Sequence, residues 1–172
     1  SGLNLSWETI EGIAKHNGIV EKPSLTIDYL DKKLNLNLGL NTCLEGQIAA
    51  VSDDIAYISH DFDDGLKSGL LSIDQVKLLP RVGKHIGNII KKIPSLSNNL
   101  LIHEMIRCFM TELVDDILKE TRKNLYHLNP ISKKDITNFK YKIVKFSDSM
   151  YTDLKSLRLF LNSQMWRHKK VE

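Results

Sequence analysis

The fourteen residues from Ser52 to Gly65 hold the densest group of side chains that could do chemistry. They read SDDIAYISHDFDDG and contain five aspartates, one histidine and one tyrosine. Carboxylates bind hard cations through oxygen, and an aspartate can join histidine ligands around a transition metal. A tyrosine hydroxyl can donate a hydrogen bond to a phosphate or a sugar. The stretch therefore has residue types suited to binding a metal or a phosphorylated ligand.

The spacing of these residues predicts that several of them share one face of a helix. With 3.6 residues per turn and a rise of 1.5 Å per residue, they form a polar stripe about 15–17 Å long. Its members are Asp53, Tyr57, Asp61 and Asp64. Ile55, Ile58 and Phe62 point elsewhere. The alternative interpretation is a solvated acidic face, in which Asp61 or Asp64 pairs with Lys67.

The element that must position this stripe is a helix of about 24 residues. Thr42 followed by Glu45 predicts a capping box at its start, and Gly65 and Gly69 predict its end. Between them, apolar residues recur at steps of three and four. These are Leu44, Ile48, Val51, Ile55, Ile58 and Phe62.

Most of the remaining chain also has the pattern of helices. Start and stop signals predict helices from Ser6 to Asn17, within 72–79 (stopped by Pro80), within 82–93, over 97–125, from Ser132, and from about Ser147 to His168. Residues 19–40 read as an irregular connection with one short helical turn. The sequence contains no alternating strand pattern, glycine-rich phosphate loop or solenoid repeat. We therefore expect an all-α, irregular multi-helix bundle.

Composition limits the classes of function. The chain has 172 residues, 24 basic and 21 acidic, a balance that does not by itself indicate nucleic-acid binding. Cys43 and Cys108 lie far apart in apolar stretches and are expected to be free thiols in a reducing compartment. No apolar run approaches the ~18 residues of a membrane span, and no signal-peptide pattern is present. We expect a cytoplasmic protein that does not span a membrane.

Several segments, in order, resemble the bacterial deoxyguanosine triphosphate triphosphohydrolase-like proteins of the HD-domain superfamily. The resemblance covers essentially the whole chain. It rests on LNLSWETIEGIAKHNG, LEGQIAAVSDDIAYISHDFDDGLKSGLL, LIHEMIRCFMTELVDDILKETRKNL and LRLFLNSQMWRHKKV. It implies a C-terminal portion of such an enzyme, with 1–70 as the end of the HD core and 71–172 as a C-terminal helical region.

The resemblance implies a function and a set of site residues. Members hydrolyse deoxynucleoside triphosphates to a deoxynucleoside and inorganic triphosphate. Their metal ligands come in the order His, an adjacent His-Asp pair, then a later Asp, which corresponds to Asp53. Tyr57 corresponds to a tyrosine near the sugar and phosphates, and Asp61 to a carboxylate that binds the 3′-hydroxyl. Asp54 lies where a more distant relative has a basic phosphate ligand.

The adjacent pair His60–Asp61 has the residue types of a metal-binding dyad, but the resemblance implies that it is not the metal-binding pair. The dyad of the family lies on an earlier helix, and this chain contains no second adjacent His-Asp pair. Three of the four expected ligands are therefore absent. The divalent metal, Mg²⁺, Mn²⁺ or similar, is expected in the full-length enzyme. This chain alone is expected to bind none and to be inactive.

Two further residues, Lys15 and His16, end the first predicted helix. They either cap its last carbonyls or contact phosphate in the complete enzyme. The resemblance also implies a homo-oligomer and a nucleotide or single-stranded DNA effector. The basic clusters late in the chain, such as RHKKVE, are candidates for that contact, although solvated helix faces explain them as well.

Two other functions remain open at this point. One is a helical nucleotide-binding or protein-interaction module without catalysis. The other is an HD phosphodiesterase that uses His60 and Asp61 with His16 and either Asp115 or Asp116, although no motif supports these partners.

Overall fold

The computed structural model describes residues 2–167, and in this part of the chain it contains helices and no strand. The fold is all-α, as the sequence predicts. The helices are α1 (Trp7–Ala14), α2 (Leu25–Leu34), α3 (Leu44–Lys67), α4 (Ile73–Val76), α5 (Pro80–Lys92), α6 (Asn98–Leu128), α7 (Lys133–Thr137) and α8 (Asp148–Leu161), followed by a π-helical turn (Asn162–Trp166). None of these helices in residues 2–167 has the length and apolar character needed to cross a membrane.

The ten-residue helix α2 corrects the interpretation of residues 19–40 as irregular. Ser24 caps its start by accepting a hydrogen bond from the Ile27 amide, and Asn35, with φ of 51°, ends it in the left-handed region. No residue of α2 is buried. Its apolar stripe, Ile27, Leu30 and Leu34, is therefore short and only half-buried, although it has the three- and four-residue steps of a helix.

Three other element ends differ from the prediction. Pro80 begins α5 instead of stopping the preceding helix, because a proline at the first helical position loses no intrahelical hydrogen bond. Helix α3 begins at Leu44, so Thr42 lies one residue too early to cap it. The Thr42 hydroxyl instead contacts Glu11 Oε2 at 3.4 Å. The C-terminal helix predicted to reach His168 ends at Leu161, and residues 168–172 lie outside the described residues.

The chain forms two compact units. Unit 1 contains the residues up to Asp53 and Lys119–Lys145, and unit 2 contains Asp54–Leu118 and the residues from Phe146 onward. Helices α3 and α6 each contribute to both units. The division at residue 70 concerns the HD core of the whole protein and stays a prediction.

Buried amide side chains hold the loop after α7 in unit 1. Gln47 Oε1 accepts hydrogen bonds from the backbone amides of Ile143 and Val144 at 2.8 and 3.1 Å, and Gln47 Nε2 donates to the Thr42 carbonyl. Satisfied in this way, a buried polar group carries little desolvation cost. The neighbouring Ile48, predicted in the apolar stripe, is 50% exposed instead.

A buried ion pair holds the end of α1 in unit 1. Lys15 and Glu11 are 1% and 2% exposed, and Lys15 Nζ lies 2.9 Å from Glu11 Oε1. The second carboxylate oxygen of Glu11 faces the Thr42 hydroxyl. The pair thus joins α1 to the start of α3 inside the packed unit.

The core of unit 2 is built on the apolar side of α3. Ile58 and Phe62 are fully buried, and the Phe62 ring packs against Phe109 of α6 with ring centroids 6.4 Å apart. Further buried apolar side chains come from every helix of the unit. They include Val76, Val82, Ile86, Met105, Leu113, Met150, Leu154, Leu157 and Leu161.

A half-buried network around Arg81 connects α5, α6 and α8 within unit 2. Arg81 forms ion pairs with Asp153 and, at 2.6 Å, with Glu112, and its guanidinium also donates to Ser149 Oγ. His85 Nε2 contacts the other Glu112 oxygen at 2.7 Å. Burial alone would raise the pKa of Glu112, but the hydrogen bonds from His85 and Arg81 outweigh it and lower that pKa.

We predict that Glu112→Gln lowers the free energy of unfolding at pH 7 by about 1–2 kcal/mol. Because the folded-state pKa lies below the ordinary value of 4.5, the stabilisation is complete above pH 4.5 and is lost as pH falls through the lowered pKa. Urea unfolding at pH 7 and at pH 3 measures this difference. Glu104→Gln, which removes an exposed pair with Arg107, serves as the control and should change stability little. A Glu112 effect of equal size at both pH values would contradict the prediction.

The buried pair in unit 1 gives a second prediction. Glu11→Ala should destabilise the protein by about 3–5 kcal/mol, because it leaves the Lys15 ammonium buried without its carboxylate. The double variant Glu11→Leu/Lys15→Met removes both charges and should regain most of this loss. Thermal or denaturant unfolding of the two variants makes the comparison. A double variant no more stable than Glu11→Ala would show that the charges themselves are required.

Candidate functional site

Helix α3 presents the predicted polar stripe on its exposed side. Asp53, Tyr57 and Asp61 follow one another at four-residue steps on this continuous helix, and the side chains of Asp53 and Tyr57 are 71% and 57% exposed. Ile58 and Phe62, one step away, are fully buried. The predicted separation of a polar and an apolar stripe is thus present in the fold. Asp53 lies in unit 1, and the other stripe residues lie in unit 2.

In unit 2, the π-helical turn after α8 brings Trp166 against the stripe. The Trp166 indole N–H donates to Asp61 Oδ2 at 2.8 Å, and the Trp166 and Tyr57 rings lie 6.0 Å apart at an interplanar angle of 51°. This tilted arrangement is a favourable one for two aromatic rings. Single π-helical turns are frequent at functional sites.

Helix α8 adds a cation at Asp54, the residue of α3 that follows Asp53. Arg158 donates from its guanidinium to Asp54 Oδ1 at 2.8 Å, with both side chains about half exposed. A surface cavity of about 240 Å³ borders this region. Its lining residues are Tyr151, Lys155, Arg158, Leu159, Asn162 and Trp166. Arg158 and Trp166 therefore connect this cavity, which Lys155 also lines, to α3 at Asp54 and at Tyr57 and Asp61.

The prediction from sequence did not assign site roles to Trp166 and Arg158. The available signal for Trp166 was its place beside Arg167 and His168 in LRLFLNSQMWRHKKV, one of the segments on which the resemblance rests. Arg158 had no such signal, since a single arginine on a helix is most often a solvated surface residue. His168 and the lysines that follow, part of the same segment, lie outside the described residues.

In unit 1, the turn after α1 brings a histidine to the stripe. His16 Nε2 lies 3.3 Å from Asp53 Oδ2. Lys15, in contrast, points inward to Glu11, so the phosphate contact considered for Lys15 would require this buried pair to open. The structure thus brings His16, but not the Lys15 ammonium, to the exposed side of α3.

The alternative pairing of Lys67 with Asp61 or Asp64 is not what the structure contains. Lys67 Nζ pairs instead with Asp63 Oδ2 at 2.6 Å, four residues away on α3. His60 is exposed, and Asp61 accepts its hydrogen bond from Trp166. The acidic face is therefore not simply neutralised by the lysine at the end of its own helix.

The chain alone does not form a complete metal centre within the described residues. No group of three or more His, Cys, Asp and Glu side chains in residues 2–167 is arranged to hold an ion. Asp53 itself has the chemistry of a ligand, since its carboxylate is exposed and His16 engages one of its two oxygens. The residues present therefore fit a metal as one contributor to a larger ligand set.

An open groove of about 770 Å³ lies beside His16 in unit 1. Its floor is mainly apolar, with charged groups at the rim. The lining residues are Glu8, Thr9, Gly12, Ile13, His16, Cys43, Leu44, Glu45, Gly46, Ala49, Lys133 and Ile136. Hydrogen bonds from the backbone at the helix starts lower the pKa values of Glu8 and Glu45, so both carboxylates stay ionised to a lower pH than an ordinary glutamate does. The space next to the His16–Asp53 contact is thus accessible.

Comparison with known proteins extends over nearly the whole chain. No family model matches it. It is 37% identical over 177 residues to a deoxyguanosinetriphosphate triphosphohydrolase-like protein of Parvibaculum lavamentivorans. It is 40% identical, over 175 and 171 residues, to proteins of the same name from a Caulobacter species and a Jannaschia species. These alignments cover 99% of this chain and 45%, 44% and 43% of the three relatives.

The chain thus spans a little under half the length of the curated relatives it matches. The resemblance inferred from the ordered segments is confirmed by this similarity over the full length of the chain. Over almost its whole length, the chain is thus similar to one half of the deoxyguanosinetriphosphate triphosphohydrolase-like proteins.

Proposed function

We propose that the whole protein hydrolyses dGTP or other deoxynucleoside triphosphates to a deoxynucleoside and triphosphate. The observation that carries the proposal is the cluster in unit 2 where Tyr57, Asp61 and Trp166 meet. Arg158 of α8, which pairs with Asp54, adds a cation beside α3. The names of the relatives support the same substrate class.

Each part of a deoxynucleotide has a suitable partner in this cluster. The aromatic surfaces of Tyr57 and Trp166 suit the sugar and base, and the Tyr57 hydroxyl can donate to a phosphate oxygen. The Trp166 indole N–H donates to Oδ2 of Asp61, so Oδ1 of Asp61 can accept a hydrogen bond from the 3′-hydroxyl. The guanidinium of Arg158 suits phosphate oxygens, for which its planar donor fork is well shaped. These groups would hold the nucleotide in a fixed orientation, which is a positioning role.

We assign Asp53 as the metal ligand that this chain contributes. The remaining ligands of the set would come from the rest of the protein, and the groove beside His16 leaves room for a segment that carries them. When bound, a divalent metal such as Mg²⁺ or Mn²⁺ supplies charge stabilisation at phosphate oxygens and an acidified water. This chain's own residues bind and orient the nucleotide, and the chain alone should release no triphosphate.

A second candidate is a helical nucleotide-binding or interaction module without catalysis. Such a module would not require the three-ligand group that residues 2–167 lack. The two candidates differ in the rest of the protein, where the enzyme requires a histidine and an adjacent His-Asp pair. Homo-oligomer formation and a nucleotide or single-stranded DNA effector stay predictions of the resemblance, and a cytoplasmic location stays a prediction from the sequence pattern.

For the metal ligand, we predict that Asp53→Ala in the full-length protein lowers triphosphate release more than about 100-fold, since even outer partners of a metal are worth about 10- to 100-fold. Metal content after gel filtration should fall in parallel. Asp74→Ala, at a side chain that is 94% exposed on α4, is the matched control. Normal turnover by Asp53→Ala would refute the ligand assignment.

For substrate positioning, we predict that Asp61→Ala lowers kcat/KM for a deoxynucleoside triphosphate about 10- to 100-fold, the worth of one hydrogen bond to a charged group. With a 2′,3′-dideoxynucleoside triphosphate, which lacks the 3′-hydroxyl, Asp61→Ala should have nearly the same kcat/KM as the parent protein. This comparison isolates the contact between Asp61 and the hydroxyl. Equal losses with both substrates would place the role of Asp61 in packing against Trp166 instead.

A further inference from the structure

The contact between His16 and Asp53 joins two parts of unit 1 that are 37 residues apart in the chain. The two side chains are 42% and 71% exposed. A contact between side chains this exposed gains little free energy by itself, since the pair is solvated and its side chains lose conformational freedom. If the contact is to persist, the backbone around His16 must be held by other interactions.

The residue immediately before His16 provides one such interaction. The Lys15 side chain enters the interior and pairs with Glu11, and the Glu11 carboxylate in turn reaches Thr42, just before α3. A buried ion pair gives little net stability, but its geometry is demanding. It therefore specifies where the end of α1 lies relative to the start of α3 within unit 1.

The residues after His16 close the turn. Gly18 has φ of +108°, a conformation that favours glycine, and its amide donates to the Lys15 carbonyl at 2.8 Å. Lys142 Nζ donates to the Asn17 carbonyl at 3.5 Å. His16 is therefore held from both sides, on a turn that leaves its ring free to reach Asp53.

We infer that His16 is a positioning residue for Asp53, and this inference rests on the proposed role of Asp53 as a metal ligand. A carboxylate oxygen only accepts hydrogen bonds, so the ring nitrogen Nε2 must carry the proton and donate to Oδ2. The donated hydrogen bond fixes the rotation of the carboxylate and directs Oδ1 away from His16. The buried Glu11–Lys15 pair determines where His16 lies.

The test measures metal affinity in the full-length protein, using competition of Mn²⁺ with a chelator as the readout. His16→Ala should weaken the affinity about 10- to 100-fold, the range for an outer partner of a ligand. His16→Gln, whose amide nitrogen can take the place of Nε2, should regain most of it. His127→Ala, an exposed histidine of the same unit, is the matched control and should retain the parent affinity. The thermal unfolding midpoint of the metal-free protein should be the same for all these variants.

The outcomes separate this inference from the proposed function. If Asp53→Ala abolishes metal binding while His16→Ala changes it less than about twofold, the positioning role is wrong and the ligand assignment stands. If His16→Gln is as weak as His16→Ala, or if His16→Ala also lowers the unfolding midpoint of the metal-free protein, the residue has a structural role and the inference fails. If Asp53→Ala retains the metal, the proposed ligand fails first, and the inference fails with it.

Discussion

The candidate site depends on the burial of one side of α3. Ile58 and Phe62 are completely removed from water, and burying a large apolar side chain is worth about 1.5–3 kcal/mol. Because side chains have fixed directions around a helix, burying this side also fixes the direction of the opposite one. Asp53 and Tyr57 are therefore exposed, and the half-buried Asp61 is directed away from the core, as a consequence of core packing. Any slide or rotation of α3 that moved the polar stripe would also withdraw Ile58 and Phe62 from the core and lose the free energy of their burial.

Polar groups inside unit 1 add specificity to this apolar packing. Gln47 holds the amides of Ile143 and Val144, and the Glu11–Lys15 pair connects α1 with the residue before α3. Apolar contacts tolerate small shifts, whereas a buried hydrogen bond or ion pair is costly when its partner moves. These interactions therefore suit a unit that has to hold a turn, and the histidine on it, in a defined place.

Much of the fold is predictable from local patterns. The apolar spacing of α3, α6 and α8 predicts these helices, because each of them buries a stripe. Helix α2 carries a shorter form of the same pattern, in the half-buried Ile27, Leu30 and Leu34. The pattern fails at position 47, which buries a glutamine while the adjacent Ile48 is half exposed. There the hydrogen bonds of Gln47 to the backbone of residues 143–144 override the local preference of the residue.

The sequence by itself determined the helical class, the two-sided character of α3 and the resemblance to deoxyguanosinetriphosphate triphosphohydrolase-like proteins. Periodicity and the order of motifs are local or collinear properties, which a sequence carries directly. Only the tertiary structure decided that His16 meets Asp53, that Trp166 meets Asp61 across 105 residues, and that Arg158 meets Asp54 across 104 residues. It also decided that the Lys15 side chain is buried and that the His16 side chain is not. Such contacts depend on how separate helices pack, and packing is a property of the whole arrangement of side chains, which no short stretch of sequence contains.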